Sequence, residues 1–293
     1  MGTLVTIEVV AGGPDTSAPG EVAAAIDRAF AWFVEVEAHC SRFDPNSELR
    51  QLIARSGSPV KVSTLLFGVV EFALELARDT AGAFDPAVGA RMENQGFDRH
   101  YQSGAFAGAG LSDASATFED IVADAAAGTI QLKRPLVLDL GAVAKGMAID
   151  LAAQELRLLG NFVVDAGGDL YVAGRNQRSE SWRVGIRHPA RPDELIETLR
   201  ITDAAVCTSG RYERGLHILD ARTGTAVMHV SSATVIAPTA MAADALATAA
   251  FVLGPEAGIR LLERHGVEGA IWTGGESLSR HSTAGYVALL SHT

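Results

Sequence analysis

A lysine and an acid lie on either side of a glycine in the stretch Leu138–Asp150, LDLGAVAKGMAID. An apolar run ends at Asp139, Gly141 permits a tight turn, and Lys145 leads into an alanine-rich segment, so the pattern predicts a strand, a turn and a helix. The first turn of a helix offers unpaired N–H groups and the positive end of a dipole to an anion, and Lys145 would add a full charge. The stretch is compatible with a phosphate site, but taken alone it favours an ordinary strand-to-helix connection that carries a solvated lysine.

A second polar pair lies in the otherwise small and apolar segment Met241–Thr248, MAADALAT. In a helix, Asp244 and Thr248 are four residues apart and share one face. A carboxylate and a hydroxyl are hard oxygen ligands of the kind that Mg²⁺ prefers. The alternative is that Asp244 forms a local cap or hydrogen bond while Thr248 bonds back to its own helix. The residues alone leave both interpretations open.

A third group of polar residues, His217, Asp220 and Arg222, lies in the stretch HILDARTG. They would supply a proton-transfer group, the acid that orients it and a phosphate clamp. The segment Asp220–Gly224 also has the composition of a simple turn, and a lone histidine at the start of a strand is more often structural. A Ser-His-Asp hydrolase site fits poorly, because no GxSxG motif precedes a helix. A dinucleotide-binding Rossmann site also fits poorly, because no GxGxxG motif follows the first strand.

The composition indicates a folded globular protein. The 293 residues are 48% hydrophobic, which is enough to bury a core, and 24 Lys and Arg against 35 Asp and Glu give a net charge of -11. With no basic cluster, nucleic acid is an unfavourable partner. Cys40 and Cys207 lack CxxC spacing, so we expect buried or half-buried thiols and neither a thiolate metal site nor a disulfide framework. No apolar run reaches the roughly 18–20 residues of a membrane span, and a strand pattern stands where a signal peptide would, so we expect a cytoplasmic protein.

Hydrophobic periodicity and turn residues predict helices and short strands along the whole chain, with no internal repeat and no linker. Helices are expected over residues 21–39, after the caps Ser47 and Ser63, from the Gly141 turn to about 159, over 241–253 and over 256–265. Strands are expected over residues 1–10, three times within 116–140, and at 162–164, 170–173, 182–187, 194–201, 205–208, 217–219, 228–237, 270–272 and 286–290. Residues 82–115 are predicted to be irregular, and Asp165–Asp169 to form a turn with positive φ.

Six blocks occur in one order along the chain. They are MGT (1–3), CSRFDPNSEL (40–49), GAFDPAVG (82–89), LDLGAVAKGMAID (138–150), DAGGDLYVAG (165–174), and TSGRYER through HILDARTG to MAADALATA (208–249). Together they resemble the ApbE family, the FAD:protein FMN transferases. The resemblance implies an α+β fold of mixed, largely antiparallel sheets packed with helices, T-fold-like in architecture. It also implies a single domain over residues 1–293, or two intimately packed subdomains.

The resemblance implies an activity as well. Such a protein binds FAD and Mg²⁺, splits the FAD pyrophosphate, and attaches FMN through a phosphodiester to a Thr or Ser of an acceptor protein such as an FMN-binding domain, with release of AMP. Two alternatives are an FAD pyrophosphatase that gives FMN and AMP, and a flavin-binding protein without turnover. The expected partners are therefore FAD and an acceptor protein, with no nucleic acid and no membrane span.

Carried over by position, the resemblance assigns roles to individual residues. The metal ligands would be the side chains of Asp244 and Thr248 and the backbone carbonyl of Ala142. Lys145 and His217 would be catalytic, with His217 as a proton-transfer or phosphate-orienting group. The positions expected to line FAD are Met1, Ser41, Arg42, Phe43, Asp85, Asp139, Lys145, Ile218 and Ala247.

Overall fold

The computed structural model of the protein describes residues 2–10, 19–99, 104, 106, 108, 113–211 and 215–291. In that part of the chain the α-helices are α1 (Pro19–Cys40), α2 (Glu48–Ile53), α3 (Thr64–Asp79), α4 (Gly89–Asn94), α5 (Gly141–Leu156) and α6 (Ala240–Arg264). The strands are β1 (Val5–Val9), β2 (Val60–Lys61), β3 (Ile121–Asp124), β4 (Thr129–Leu132), β5 (Phe162–Ala166), β6 (Asp169–Ala173), β7 (Trp182–His188), β8 (Arg191–Ile201), β9 (Ala204–Gly210), β10 (Leu219–Asp220), β11 (Thr225–Ala226), β12 (Ser232–Ala237), β13 (Glu268–Gly274) and β14 (Leu278–Ser282).

The chain divides into two compact units. The first consists mainly of Val34–Ala144 and His217–Ala226, and the second consists of Thr3–Phe33, Lys145–Leu216 and Val227–Thr293. The division falls inside α1 and inside α5, so each of these helices contributes residues to both units.

The second unit is built on a seven-stranded sheet in the order β1-β5-β6-β9-β12-β13-β14, in which every neighbouring pair is antiparallel. Successive side chains of a strand point to opposite faces. Cys207 and Ser209 of β9 face α6, because Cys207 lies against the carbonyl of Ala240 and Ser209 hydrogen-bonds to Thr248. Val206 faces the other side and joins the core formed with the β7–β8 hairpin. α6 and the hairpin therefore cover opposite faces of the sheet.

α6 is the long core helix of this unit. Thr239 caps it by accepting the N–H of Ala242, and the helix is interrupted at Gly254 (φ 77°), directly before Pro255. This left-handed residue separates the two helices that the sequence predicts. By length and composition alone α6 could cross a membrane, but most of its apolar stretch is buried against β9, β12 and β13.

The first unit combines α2, α3 and α4 with the antiparallel sheet β2-β4-β3 and the short pair β10-β11. Ser47 accepts the N–H of Arg50 and Ser63 accepts that of Leu66, so both predicted helix caps are confirmed. A cap of this kind satisfies a donor that the first turn of a helix leaves open. With antiparallel sheets and helices in both units, the predicted α+β fold is confirmed.

Two stretches of the first unit differ from the prediction. Residues 82–115 are predicted to be irregular, but Pro86–Val88 forms a 3₁₀ turn and α4 follows it directly. The third of the predicted short strands is also wrong, because Leu136–Leu140 is buried but belongs to none of the described sheets. Its backbone hydrogen-bonds instead to the carbonyl of Pro86 (2.8 Å) and the N–H of Gly89 (3.1 Å), so these donors and acceptors are satisfied without a ladder.

The C-terminal elements also differ from the prediction. The expected strand over 286–290 is a 3₁₀ helix, Gly285–Leu289, and the last strand is β14. Tyr286 is fully buried and donates its hydroxyl to Glu197 Oε2 (2.8 Å), so this apolar run packs around one aromatic anchor instead of alternating between two faces. The strand predicted over 217–219 is likewise short, since pairing starts only at the first residue of β10.

Candidate functional site

An acid precedes the first turn of α5 in the first unit. The helix begins directly at Gly141, and Asp139 Oδ1 accepts the Gly141 N–H at 2.9 Å. The predicted glycine turn is therefore part of the helix itself. A carboxylate at this end is stabilised by the open N–H groups and by the helix dipole.

Arg42 holds the same acid through a second contact. Its Nε donates to Asp139 Oδ2 (2.5 Å), one terminal nitrogen donates to the Phe97 carbonyl (2.8 Å), and the other lies 3.8 Å from Glu93. The guanidinium carbon stands 4.1 Å from the centre of the Phe43 ring, a cation–π contact, and Arg42 is only 4% exposed. These five residues are called the Arg42 cluster. Because a guanidinium is planar and donates in fixed directions, the cluster fixes the orientation of Asp139.

Asp85 and Ser41 both organise backbone in the first unit. Asp85 Oδ1 accepts the N–H of Ala87 (2.8 Å) and its Oδ2 accepts that of Phe118 (3.0 Å), while burial raises the pKa of the carboxyl. Ser41 Oγ accepts the N–H groups of Phe43 and of the residue after it, each at 3.2 Å. Both side chains thus shape the segments that contain predicted FAD-lining positions. Direct contact of Asp85 or Ser41 with FAD stays a prediction.

In the second unit Lys145 lies between two acids. Its Nζ pairs with Asp169 Oδ2 and stands 3.1 Å from Asp244 Oδ2. The side chains of the two acids are 5% and 7% exposed, and that of the lysine is 22% exposed. These three side chains are two carboxylates and one ammonium, so their own formal charges sum to one negative charge in a place with little water. These three residues are called the Lys145 cluster.

Asp169 is a functional candidate that the sequence-based assignment misses. It opens β6 directly after Gly167 and Gly168, whose φ values of 71° and 97° make the predicted glycine turn. Its Oδ1 accepts the N–H of Thr208 on β9 (2.7 Å), and its Oδ2 faces Lys145. The signal in the sequence is an acid that follows a glycine pair and begins a largely buried strand.

Asp244 and Thr248 lie one turn apart on α6, as their spacing predicts. Thr248 Oγ1 hydrogen-bonds to Ser209 Oγ (2.9 Å), and Asp244 faces Lys145. Thr239, and not Asp244, caps the helix, so the interpretation of Asp244 as a local cap is wrong. A carboxylate and a hydroxyl form a hard donor set, and the Lys145 cluster contains one carboxylate more than it has ammonium groups, so these residues fit Mg²⁺.

The rest of the predicted metal and FAD sets is distributed over both units. The Ala142 carbonyl belongs to the first turn of α5 in the first unit, whereas Asp244, Thr248 and the fully buried Ala247 belong to the second. Met1 lies outside the described residues. Within the described ranges, no group of three or more His, Cys, Asp or Glu side chains is arranged to hold a metal ion. A cation here would therefore depend on hydroxyl, carbonyl and water oxygens as well as on one carboxylate, and the ligand set stays a prediction.

His217 and Ile218 lie in the short second segment of the first unit. The His217 ring packs edge-on against Phe97, a member of the Arg42 cluster, with the ring centres 6.5 Å apart, and Ile218 is buried. Asp220 and Arg222 bind each other through two nitrogen atoms at 2.7 and 3.0 Å. Their mutual pairing supports the turn interpretation of this stretch more than the phosphate-clamp interpretation. The catalytic role of His217 stays a prediction.

α5 and α6 approach each other closely in the second unit. A Cβ atom on Gly146 would collide with the backbone of Ala240 and Met241. One turn further along α5, the Asp150 carboxylate accepts the N–H groups of both Ala240 (2.7 Å) and Met241 (2.9 Å). Burial raises the pKa of Asp150 to about 6. This contact fixes the two helices that carry the lysine and one acid of the Lys145 cluster.

Comparison with known sequences gives a consistent result. Residues 1–271 match the model of the ApbE family. The chain is 35% identical to a FAD:protein FMN transferase of Treponema pallidum in an alignment of 302 positions that covers 89% of this chain and 79% of that protein. It is 31% identical to a FAD:protein FMN transferase of Vibrio cholerae, over 78% of this chain and 73% of that protein.

Solved structures agree with the sequence comparison. The flavin transferase ApbE from Vibrio cholerae matches with a TM-score of 0.83 and 27% identity, over 99% of this chain and 96% of that chain. The ApbE protein of Thermotoga maritima matches with a TM-score of 0.82 and 26% identity, over 99% of this chain and 100% of that chain. The mixed α+β fold is thus shared over nearly the whole length.

Proposed function

The chain belongs to the ApbE family, and we propose that it is an FAD:protein FMN transferase. In this reaction a Thr or Ser hydroxyl of an acceptor protein attacks the FMN phosphorus of FAD. The bond between that phosphorus and the bridging oxygen breaks, FMN remains on the acceptor as a phosphodiester, and AMP leaves. The relatives that carry this name, matched over most of the chain, support the proposal.

The observation that carries the proposal is the Lys145 cluster, with Thr248 one helical turn from its aspartate on α6. Cleavage of a pyrophosphate develops negative charge on the phosphate oxygens and on the leaving group. An ammonium group and a metal ion held by hard oxygens are the stabilisers that such charge requires. The cluster supplies the ammonium group through Lys145, and through Asp244 it supplies the carboxylate that would hold the metal ion.

Three groups of residues have different roles in this reaction. Mg²⁺ would be held by Asp244, Thr248 and the Ala142 carbonyl, and when bound it supplies a Lewis acid to the phosphate oxygens. Lys145 binds a phosphate oxygen through its Nζ protons and orients the phosphorus for in-line attack. His217 takes up the proton of the acceptor hydroxyl at a ring nitrogen as that oxygen attacks.

The acceptor would be a protein with a Thr or Ser in an accessible loop, such as an FMN-binding domain. A phosphodiester to a hydroxyl needs a side chain that can reach the phosphorus without unfolding, which favours an exposed and flexible segment.

Intact mass spectrometry tests the proposal. The purified protein is incubated with FAD, Mg²⁺ and an FMN-binding domain that bears a Thr in a flexible loop, and the acceptor is weighed. A gain equal to FMN minus water is expected, and the gain should disappear when EDTA removes the metal.

The same experiment separates the alternatives. AMP that accumulates without any gain in acceptor mass would replace the transferase by an FAD pyrophosphatase. Retention of FAD with neither product would leave a flavin-binding protein. An acceptor whose Thr is replaced by Val is the matched control, and it should gain no mass.

A further inference from the structure

A lysine lies very close to the acid that is proposed to hold Mg²⁺. Lys145 Nζ stands 3.1 Å from Asp244 Oδ2. An ammonium at this distance neutralises the carboxylate and competes with a divalent cation for the same oxygen. A lysine alone would therefore weaken the metal site that its own charge is meant to assist.

A second carboxylate offsets this effect. Asp169 Oδ2 pairs with the same Nζ atom, and the residue is only 4% exposed, so solvent screens the pairing little. The Asp169 Oδ1 atom accepts the Thr208 N–H at 2.7 Å, which prevents the carboxylate from turning away from Lys145. The lysine is thus held by one acid while it lies beside the other.

We propose that Asp169 is a positioning residue that holds Lys145 and compensates its charge, so that Asp244 remains able to bind a divalent cation. Asp169 acts through Lys145 and is not itself a metal ligand in this proposal. The inference rests on the proposed function for its Mg²⁺ site. The proposed ligands Asp244, Thr248 and Ala142 alone would then not be sufficient for cation binding. The Lys145 cluster must also carry more negative than positive charge.

A charge series of four proteins tests the inference. Asp169→Asn keeps an oxygen that can accept the Thr208 N–H but loses one negative charge, Lys145→Met loses the positive charge, and the double variant restores the net charge of the wild type. Divalent cation affinity should follow this charge. Lys145→Met should bind most tightly, the wild type and the double variant should be similar, and Asp169→Asn should bind about tenfold or more weakly than the wild type.

The measurement uses Mn²⁺ as the probe, because the electron paramagnetic resonance signal of free Mn²⁺ reports binding directly without FAD, acceptor or turnover. Mg²⁺ should displace the bound Mn²⁺. Thermal unfolding checks that each variant is folded. Glu194→Gln is the matched control, since it removes the same charge from an exposed position of the β7–β8 hairpin, and it should leave Mn²⁺ affinity unchanged.

Two results would overturn the inference. Equal Mn²⁺ affinity in the wild type and in Asp169→Asn would remove the role of the compensating charge. A double variant as weak as Asp169→Asn would assign Asp169 a purely structural role. If Asp169→Asn does not fold, Lys145→Met alone decides, because it must bind Mn²⁺ more tightly than the wild type.

Asp244→Ala separates this inference from the proposed function. If this variant loses Mn²⁺ binding while Asp169→Asn retains it, the metal site stands and the inference fails. If Asp244→Ala itself binds Mn²⁺ as the wild type does, the metal site of the proposed function fails, and the inference fails with it.

Discussion

The Arg42 cluster and the Lys145 cluster both bury a cation among acids, but they use it in opposite ways. The Arg42 guanidinium is 3% exposed and is shared among a carboxylate, a backbone carbonyl and an aromatic ring. The Lys145 side chain is 22% exposed, its Nζ atom is buried, and two acids lie beside that atom. Arginine suits fixed planar contacts, whereas lysine is a compact point charge on a flexible stem.

The difference indicates which cluster is built to hold structure and which is built to exchange partners. The arginine of the first cluster has several kinds of contact, and the loss of one of them would not free it. The second cluster holds its cation through a single ammonium nitrogen on a flexible side chain, so a phosphate or a metal can change its pairing at lower cost. Variants of the two clusters should therefore respond differently to Mg²⁺.

The largest effect is expected for Asp244→Ala. Loss of the carboxylate should lower Mg²⁺-dependent FMN transfer by about 100-fold or more, because the variant loses both the metal ligand and the partner of Lys145. Initial rates of acceptor labelling measure this, with thermal unfolding to show that the fold persists. Glu256→Gln, an exposed acid on the same helix, is the matched control. Undiminished transfer in Asp244→Ala would contradict the metal assignment.

Arg42→Met should give the largest loss of stability. It leaves Asp139 largely buried without the guanidinium, and breaking such a pair lowers the free energy of unfolding by about 3 kcal/mol. Urea unfolding followed by circular dichroism measures the change. Added Mg²⁺ should not restore the loss, because none of the proposed metal ligands, Asp244, Thr248 and the Ala142 carbonyl, belongs to this cluster. A variant as stable as the wild type would mean that the pair of Arg42 and Asp139 orients side chains but does not add to the free energy of unfolding.

Lys145→Met sharpens the comparison. Without metal, two carboxylates are left facing each other and should cost about 1–2 kcal/mol of stability, since like charges repel where water is scarce. Saturating Mg²⁺ should recover that loss, because a cation that binds only the folded state stabilises it. Thermal unfolding with and without Mg²⁺, beside Arg42→Met, measures the contrast. The same Mg²⁺ response in both variants would break the distinction between the clusters.

Asp150 provides a third arrangement, a buried carboxylate held by two backbone N–H groups of α6. Burial raises its pKa to about 6, so the folded protein binds its proton more tightly than the unfolded chain does. The free energy of unfolding should therefore fall as pH rises from about 4 to about 6, by up to about 2–3 kcal/mol. Asp150→Asn should flatten this dependence in urea titrations. An unchanged pH profile in the variant would assign the effect to other groups.

The sequence predicts those features that depend on local chemistry. The caps Ser47 and Ser63, the glycine turn before β6 and the shared face of Asp244 and Thr248 are each determined by residues within a few positions of one another. Helix capping, positive φ and helical spacing are local rules, so a single sequence suffices for them.

Long-range partners escape such rules. Asp169 accepts the N–H of Thr208 on the neighbouring strand, and Asp150 accepts N–H groups at the start of α6, so the sequence around each acid does not identify its partner. α4 is missed because it is only six residues long and follows a proline turn. The run after Gly285 is wrongly predicted as a strand because one buried tyrosine, and not alternation, determines its packing.

The open ends of the seven-stranded sheet have a consequence for aggregation. β1 and β14 are its outermost strands, and an edge strand offers unpaired N–H and C=O groups to any other chain. β1 exposes Thr6 and Glu8, and β14 exposes Arg280 and His281. The charged side chains of Glu8 and Arg280 disfavour the addition of a further strand at these two edges, because they would be brought close to the side chains of that strand. Replacing either charge by an apolar residue would therefore make its edge a better template for strand pairing.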